Sequence, residues 1–217
     1  MSKHNIQVGV ITLGMVATNC YYVFDEDQKD ENGKRHVIVF DPADAGDKIY
    51  NKLLEYDLVV DLILLTHGHF DHIMGVPKLK ELTGAKVGCY EKEAAICNDP
   101  YLNLSVSFGS SFGIVPDITY KDGDTIGAAG ISCKVIATPG HTSGGCCYYF
   151  EDDGVLISGD TLFEESVGRT DFPTSSTSEL VRSLREKLFI LPDETYVYPG
   201  HGDMTTIGHE KECNPFA

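Results

Sequence analysis

Apolar residues fall into short runs separated by polar turns, interrupted by a few stretches with helical spacing. Residues 6–13, 20–24 and 36–40 predict three β-strands. The polar loop 25–34, with Asn32-Gly33 as its turn signal, joins the last two as a hairpin. Asp41-Pro42-Ala43 closes that unit. Ile49, Leu53, Leu54 and Tyr56 recur near helical period and predict a helix over about 45–56, followed by a strand at 61–65. Val76, Leu79 and Leu82 place a short helix over 75–82 that Thr83-Gly84 stops. A strand at 87–90 and a short helix at 91–96 come next. The aperiodic stretch 98–116, rich in Ser, Gly and aromatic residues, reads as a long loop, either the rim of a pocket or a plain surface insertion.

Strands resume at 118–120, 124–127, 131–138 and 146–150, then at 155–160 and 194–198. Between the last two lies a helix over about 178–189, with Leu180, Leu184 and Leu188 as its buried stripe and Ser176 and Glu179 spaced as a capping box. Strands mixed with helices over 217 residues fit one α/β domain, 1–217.

A formal charge of −16 argues against nucleic acid and anionic membrane surfaces as partners, since both are held by Lys and Arg. The first residues lack an apolar signal core, and no apolar run reaches spanning length, so the expected location is the cytoplasm. Seven scattered cysteines without a C-x-x-C pair fit reduced thiols, most of them small buried residues. Cys146 and Cys147 should point to opposite faces of one strand. Oligomeric state is not legible.

The candidate chemistry starts where the run Leu62-Ile63-Leu64-Leu65 enters Thr66-His67-Gly68-His69-Phe70-Asp71-His72. Period-two alternation would turn His67 and His69 to one side and onto one ion, leaving Asp71 and His72 for a second. Three more strand exits carry donors: Pro139-Gly140-His141, Ser158-Gly159-Asp160 and Pro199-Gly200-His201-Gly202. Five of the eight histidines stand at these exits, whereas His4, His36 and His209 read as ordinary surface or core residues. His67, His69 and His141 are assigned to one divalent ion and Asp71, His72 and His201 to another, with Asp160 bridging. A closed structural site would be rich in cysteine, and this donor set is nitrogen and oxygen. Two such ions would bring the pKa of a water from 15.7 towards about 7, so no serine or cysteine nucleophile is needed. Asp71 is the candidate catalytic residue, orienting that water and accepting its proton. Zinc suits the nitrogen-rich set best, and iron and manganese accept the same donors.

The series Thr-His-x-His-x-Asp-His at 66–72, Gly-His-Thr-x-Gly at 140–144, Ser-Gly-Asp at 158–160 and Pro-Gly-His-Gly at 199–202 resembles the metallo-β-lactamase superfamily in its glyoxalase II branch. The resemblance runs from Thr18-Asn19-Cys20-Tyr21 to Asn214-Pro215-Phe216. It implies an αββα sandwich of two mixed β-sheets flanked by helices, a binuclear site at one sheet edge, and a small-molecule thioester substrate of the S-lactoylglutathione type. Gly168-Arg169-Thr170-Asp171-Phe172 is similar to sequence in short bacterial glyoxalase II-like hydrolases and in persulfide dioxygenases. The second family implies one iron on residues matching His67, His141 and Asp160. Longer glyoxalase II enzymes add a C-terminal helical region with basic residues for glutathione, whereas about sixteen residues follow His201 here, with Lys211 the only basic one besides His209. Phe70, Phe163 and Arg169 lie near ligands and are candidate pocket residues, Arg169 being equally placed to pair with Asp171. A nuclease of the superfamily is disfavoured by the acidity. A non-catalytic scaffold would have lost ligands, and none is missing.

Overall fold

A computed structural model describes residues 5–217, so the reading of His4 lies outside it. The first half builds β1 (Ile6–Leu13), β2 (Thr18–Asp25), β3 (Arg35–Phe40), helix α1 (Gly46–Glu55), β4 (Leu58–Leu65), the single turn α2 (Phe70–Ile73), α3 (Val76–Thr83), β5 (Lys86–Tyr90), α4 (Ala94–Asn98) and β6 (Ile118–Tyr120). Its six strands lie in sequence order, antiparallel from β1 to β3 and parallel from β3 to β6. The second half adds β7 (Thr125–Ala128), β8 (Ile131–Ala137), β9 (Cys146–Phe150), β10 (Val155–Gly159), the hairpin β11 (Leu162–Phe163) and β12 (Ser166–Val167), α5 (Thr177–Ser183), β13 (Tyr196–Pro199), β14 (Thr205–Thr206) and α6 (Ile207–Cys213). They form a sheet in the order β14-β13-β10-β9-β8-β7, parallel only between β10 and β13.

Alternation along the strands sorts side chains into three layers. Ile38, Phe40, Leu62 and Leu64 of the first sheet meet Val135, Tyr148, Phe150 and Ile157 of the second in the central core. Val39, Ile63 and Leu65 face the other way, onto Ile49 and Leu53 of α1 and Leu79 of α3. Cys147, Tyr149, Leu156 and Val197 pack outward against Leu184, Leu188 and Ile207. The result is the expected αββα sandwich. Phe40 is fully buried, with ring centroids 5.3 Å from Tyr148 and 6.1 Å from Phe150, so it holds both sheets. Phe40→Ala is expected to lower unfolding free energy by about 3–5 kcal/mol, measured by urea denaturation.

Several readings shift in the structure. β4 starts at Leu58 and not at 61, because Asp61 is an extra residue in the β3–β4 register, and a bulge breaks the alternation. Asp61 takes a hydrogen bond from the Ala129 amide and lies 2.5 Å from His36 Nδ1, so His36 is a paired, half-buried residue. The helix read at 91–96 runs over Ala94–Asn98, since Glu91 to Glu93 form the preceding turn. The helix over 178–189 is α5 followed by a π-helical turn, Leu184–Leu188, with Leu180, Leu184 and Leu188 all buried. Ser176 Oγ caps it, accepting from the Glu179 amide. Cys146 joins the central core and Cys147 the outer layer, and all seven cysteines are free thiols, six of them buried. α2, α6 and the two-residue strands are too short to leave a period in the sequence. Among the described residues no helix is long and apolar enough to cross a membrane.

Candidate metal centre

Parallel pairing sets the geometry of the site. β3 and β4 run side by side with Phe40 opposite Leu64, so both chains leave the sheet at the same edge. β10 and β13 do the same in the second sheet, with Gly159 opposite Pro199. Ligand-bearing turns thus exit at neighbouring points, and a lattice of hydrogen bonds ties the two sheets there. The Cys146 amide donates to Thr66 O at 2.9 Å, and Tyr148 Oη to Leu65 O at 2.8 Å. Across the other side, the Asn19 amide donates to Gly200 O at 2.8 Å and Tyr21 Oη to Pro199 O at 2.9 Å.

All seven residues read as ligands come together. Donor atoms of His67, His69 and His141 lie within 4.8 Å of one another, and so do those of Asp71, His72 and His201. Asp160 sits between the groups: Oδ1 is 3.4 Å from His72 Nε2, and Oδ2 is 3.5 Å from both His141 Nε2 and His201 Nε2. β4 stops at Leu65, so His67 and His69 converge as an extended strap leading into α2 rather than through strand alternation. Asp71 and His72 face the second group because α2 turns them there. Nε2 of His67, His69 and His72 and Oδ1 of Asp160 are buried without a hydrogen-bond partner. Such atoms are costly unless something electropositive meets them, and the donor set fits a pair of divalent cations.

Charge divides the cluster. Burial, together with the neighbouring His72 charge, holds His67 well below the usual histidine range. Burial and His141 bring His69 to about 3. These are neutral imidazoles, ready to ligate at neutral pH. In the second group burial also opposes charge, but carboxylates override it. Asp71, Asp160 and Asp41 raise His72 well above its ordinary value, and hydrogen bonds to Asp160 and Asp71 raise His201 to about 9. Burial pushes Asp71 up, yet His72, His201 and Thr18 bring it down to about 2. A divalent cation there would take over the positive charge and displace those protons.

Two buried carboxylates that the sequence reading passed over support the ligands. Asp41 accepts from the Thr66 amide at 2.8 Å and from Thr66 Oγ1 at 2.6 Å, and His72 Nδ1 donates to it at 3.0 Å, which aims Nε2 into the cluster. Its signal was available, since Asp41 is one more carboxylate at a strand exit. Glu93 accepts from the Gly68 amide at 2.7 Å and from Thr142 Oγ1 at 3.0 Å, so it joins the His67–His69 strap to the His141 turn. Nothing in Glu91-Lys92-Glu93 singled it out.

Burial raises the Glu93 carboxyl to about 7, against hydrogen bonds from Gly68, Thr142 and Gly144 that lower it. Its folded value stands above the ordinary 4.5, so the stabilisation belonging to the protonated form is full below about pH 4.5 and is lost as pH rises through about 7. The urea midpoint of the metal-free protein is expected to carry a decline over that window which Glu93→Gln lacks. Glu93→Ala, which strands buried donors, is expected to cost on the order of 3 kcal/mol.

A cleft of about 350 Å³ opens over the cluster, with Phe70, Phe108, Phe163, Phe172 and Arg169 among its walls. The three pocket candidates therefore line it. Arg169 also pairs with Asp171, Nε donating at 3.0 Å and Nη2 at 2.7 Å, and its carbonyl accepts from His141 Nδ1 at 2.8 Å. The backbone contact to a ligand was not legible beforehand.

Two mixed sheets between helices, with histidines and aspartates gathered at the strand exits, define an αββα fold with a metal-binding type of site. A model of the metallo-beta-lactamase superfamily matches residues 13–201, and the chain belongs to that superfamily. It is 40% identical over 97% of its length to an uncharacterized protein of Aquifex aeolicus, 96% of which is covered. A probable metallo-hydrolase of Streptococcus pyogenes is 37% identical, covering 91% of this chain and 84% of that one. The hydroxyacylglutathione hydrolase GloC of Haemophilus influenzae is 29% identical, covering 97% and 98%. Among solved structures, the BLEG-1 B3 metallo-beta-lactamase superimposes with TM-score 0.89 at 33% identity, covering 97% of this chain and 99% of that one. TTHA1623 in a di-iron-bound form gives 0.82 at 31%, covering 96% and 100%. ETHE1 from Myxococcus xanthus gives 0.76 at 29%, covering 96% and 83%.

Proposed function

We propose that the protein is a binuclear metal-dependent thioester hydrolase of the hydroxyacylglutathione hydrolase type. The observation that carries this reading is Asp160, a carboxylate 11% exposed and within 3.5 Å of imidazole nitrogens from both triplets. His67, His69 and His141 would hold one ion and Asp71, His72 and His201 the other, with Asp160 placed to serve both. Zinc is the first expectation, with iron and manganese accepting the same donors. When bound, the ions supply a water of lowered pKa and polarise the substrate carbonyl. Asp71 would orient that water. With Oδ2 held by Thr18 Oγ1 at 2.8 Å, its carboxylate is fixed for that role and for accepting the proton. His141 is kept in one tautomer by donating from Nδ1 to Arg169 O. The likeness to GloC across nearly the whole chain supports the thioester assignment. The seven free thiols fit a reducing compartment, and we place the protein in the cytoplasm.

A second reading is persulfide oxidation at a single iron. His67, His141 and Asp160 make a two-histidine, one-carboxylate set of the kind non-haem iron uses, and ETHE1 is a structural neighbour. Metal analysis of the isolated protein, with S-lactoylglutathione hydrolysis and oxygen uptake on glutathione persulfide, separates the two. Two ions per chain with hydrolysis and no oxygen uptake is the expected result. One iron with oxygen uptake would replace the first reading by the second.

A further inference from the structure

We infer that the active-site cleft continues into a second, apolar compartment that takes a hydrocarbon arm of the substrate; this rests on the thioester-hydrolase reading and adds the substrate class. The compartment, about 120 Å³, shares Phe70, Asp71 and Phe108 with the main cleft and is otherwise walled largely by Met15, Met74 and Ala43. Phe70 and Phe108 stack with centroids 4.1 Å apart and planes at 26°, and this ring pair borders both spaces.

Three observations select the occupant. First, Met15, Met74 and Phe108 remain 77%, 40% and 50% exposed around one opening, a concentration of apolar surface that marks a binding site where scattered single residues would not. Second, among the described residues no basic side chain lines this compartment, and Asp44 stands at its wall. Among the described residues Arg169 is the one lysine or arginine that lines the main cleft, and it is already held in a two-point pair by Asp171. Within the second compartment an anionic arm therefore meets no counter-charge among the described residues and has Asp44 against it, whereas an alkyl arm needs none. Third, the ring pair is fixed in advance. The Phe70 amide donates to Asn103 O at 2.8 Å, and Asn103 Nδ2 donates to Phe112 O at 2.8 Å, clamping the turn that presents Phe108. Little ordering is left to be done on binding. Because Phe70 lies between His69 and Asp71, an arm seated against it sets the distance of the thioester carbonyl from the metal-binding cluster.

The alkyl arm can belong to the acyl group or to the thiol carrier, and two substrate series tell them apart. One series carries acetyl to octanoyl groups on N-acetylcysteamine, and the other carries acetyl on ethanethiol to octanethiol. Both are assayed with the metal-loaded enzyme. Each methylene taken from water is worth about fourfold in kcat/KM, so the rise along one series should reach about tenfold or more within a few carbons. Ser110→Trp fills the compartment from an exposed loop position, and Met15→Asp charges it from the hairpin tip. Each should cut the long-to-short ratio of kcat/KM by about tenfold. A flat response along both series, with short thioesters still hydrolysed, overturns the compartment and leaves the hydrolase reading intact. If no thioester is hydrolysed at any length, the hydrolase reading falls, and calorimetry with hexyl ethyl thioether decides the compartment. Binding that Ser110→Trp abolishes supports it, and no binding, or binding that Ser110→Trp leaves intact, overturns it.

Discussion

Asp160→Ala is expected to reduce bound metal from two ions per chain to one or fewer and to lower turnover on the order of 10³-fold, leaving the fold in place. The size of the effect follows from position. The Asp160 side chain reaches both triplets, and burial raises its carboxyl while His72 and His201 hold it well below the usual range. Removal would take a donor from each ion and remove one of the carboxylates that raise His72 and His201. Asp160 stands past the end of its strand, outside the central core built on Phe40, Leu64 and Tyr148, so circular dichroism should be unchanged. Two ions per chain and turnover within about tenfold of the parent would sink the shared-carboxylate assignment.

Gly200→Ala should be nearly as damaging, although glycine bears no ligand. A methyl group there would overlap Asp160 Oδ1 and come within 2.7 Å of His72 Cε1. The backbone cannot retreat, since the Gly200 amide donates to Gly159 O at 2.9 Å and its carbonyl accepts from the Asn19 amide at 2.8 Å. Asp160 and His72 must move instead, and a displacement near 1 Å in such a site costs about 100-fold. Loss of metal from the second triplet, read by metal analysis, should accompany the loss of turnover. Gly202→Ala, two residues along, is the control: a Cβ there meets nothing within 4 Å, and φ of +76° costs about 1 kcal/mol of stability. Equal activity losses in the two variants would show that any change in this turn is harmful, and the steric argument would fail.

The legibility of the site differs residue by residue. His67, His69, His141, Asp160 and His201 announce themselves because each stands where an apolar run breaks at a small or turn-forming residue. Asp71 and His72 are visible as donors, but their direction is decided by α2, a helix too short for periodicity to reveal. Asp41 becomes a support for His72 only when β3 pairs in parallel with β4 and brings the two strand exits together. Glu93 is the hardest case. Its neighbours Glu91 and Lys92 are charged and exposed, and only its complete burial against Gly68 and Thr142 sets it apart. The apolar compartment was equally hidden, since Met15, Met74 and Phe108 belong to three separate segments and share no pattern.

By itself, the order of apolar and polar residues determined the main strands, the principal helices and the donors offered at four strand exits. Alternation, helical period and turn chemistry act over a few residues, so a linear chain displays them openly. Only the tertiary structure decided that donors separated by more than a hundred positions gather around one carboxylate, that glycine must stand beside it, and that Phe70 and Phe108 stack at the wall of the cleft. Those outcomes depend on two sheets burying their inner faces against each other, an interaction that no short stretch of the chain contains.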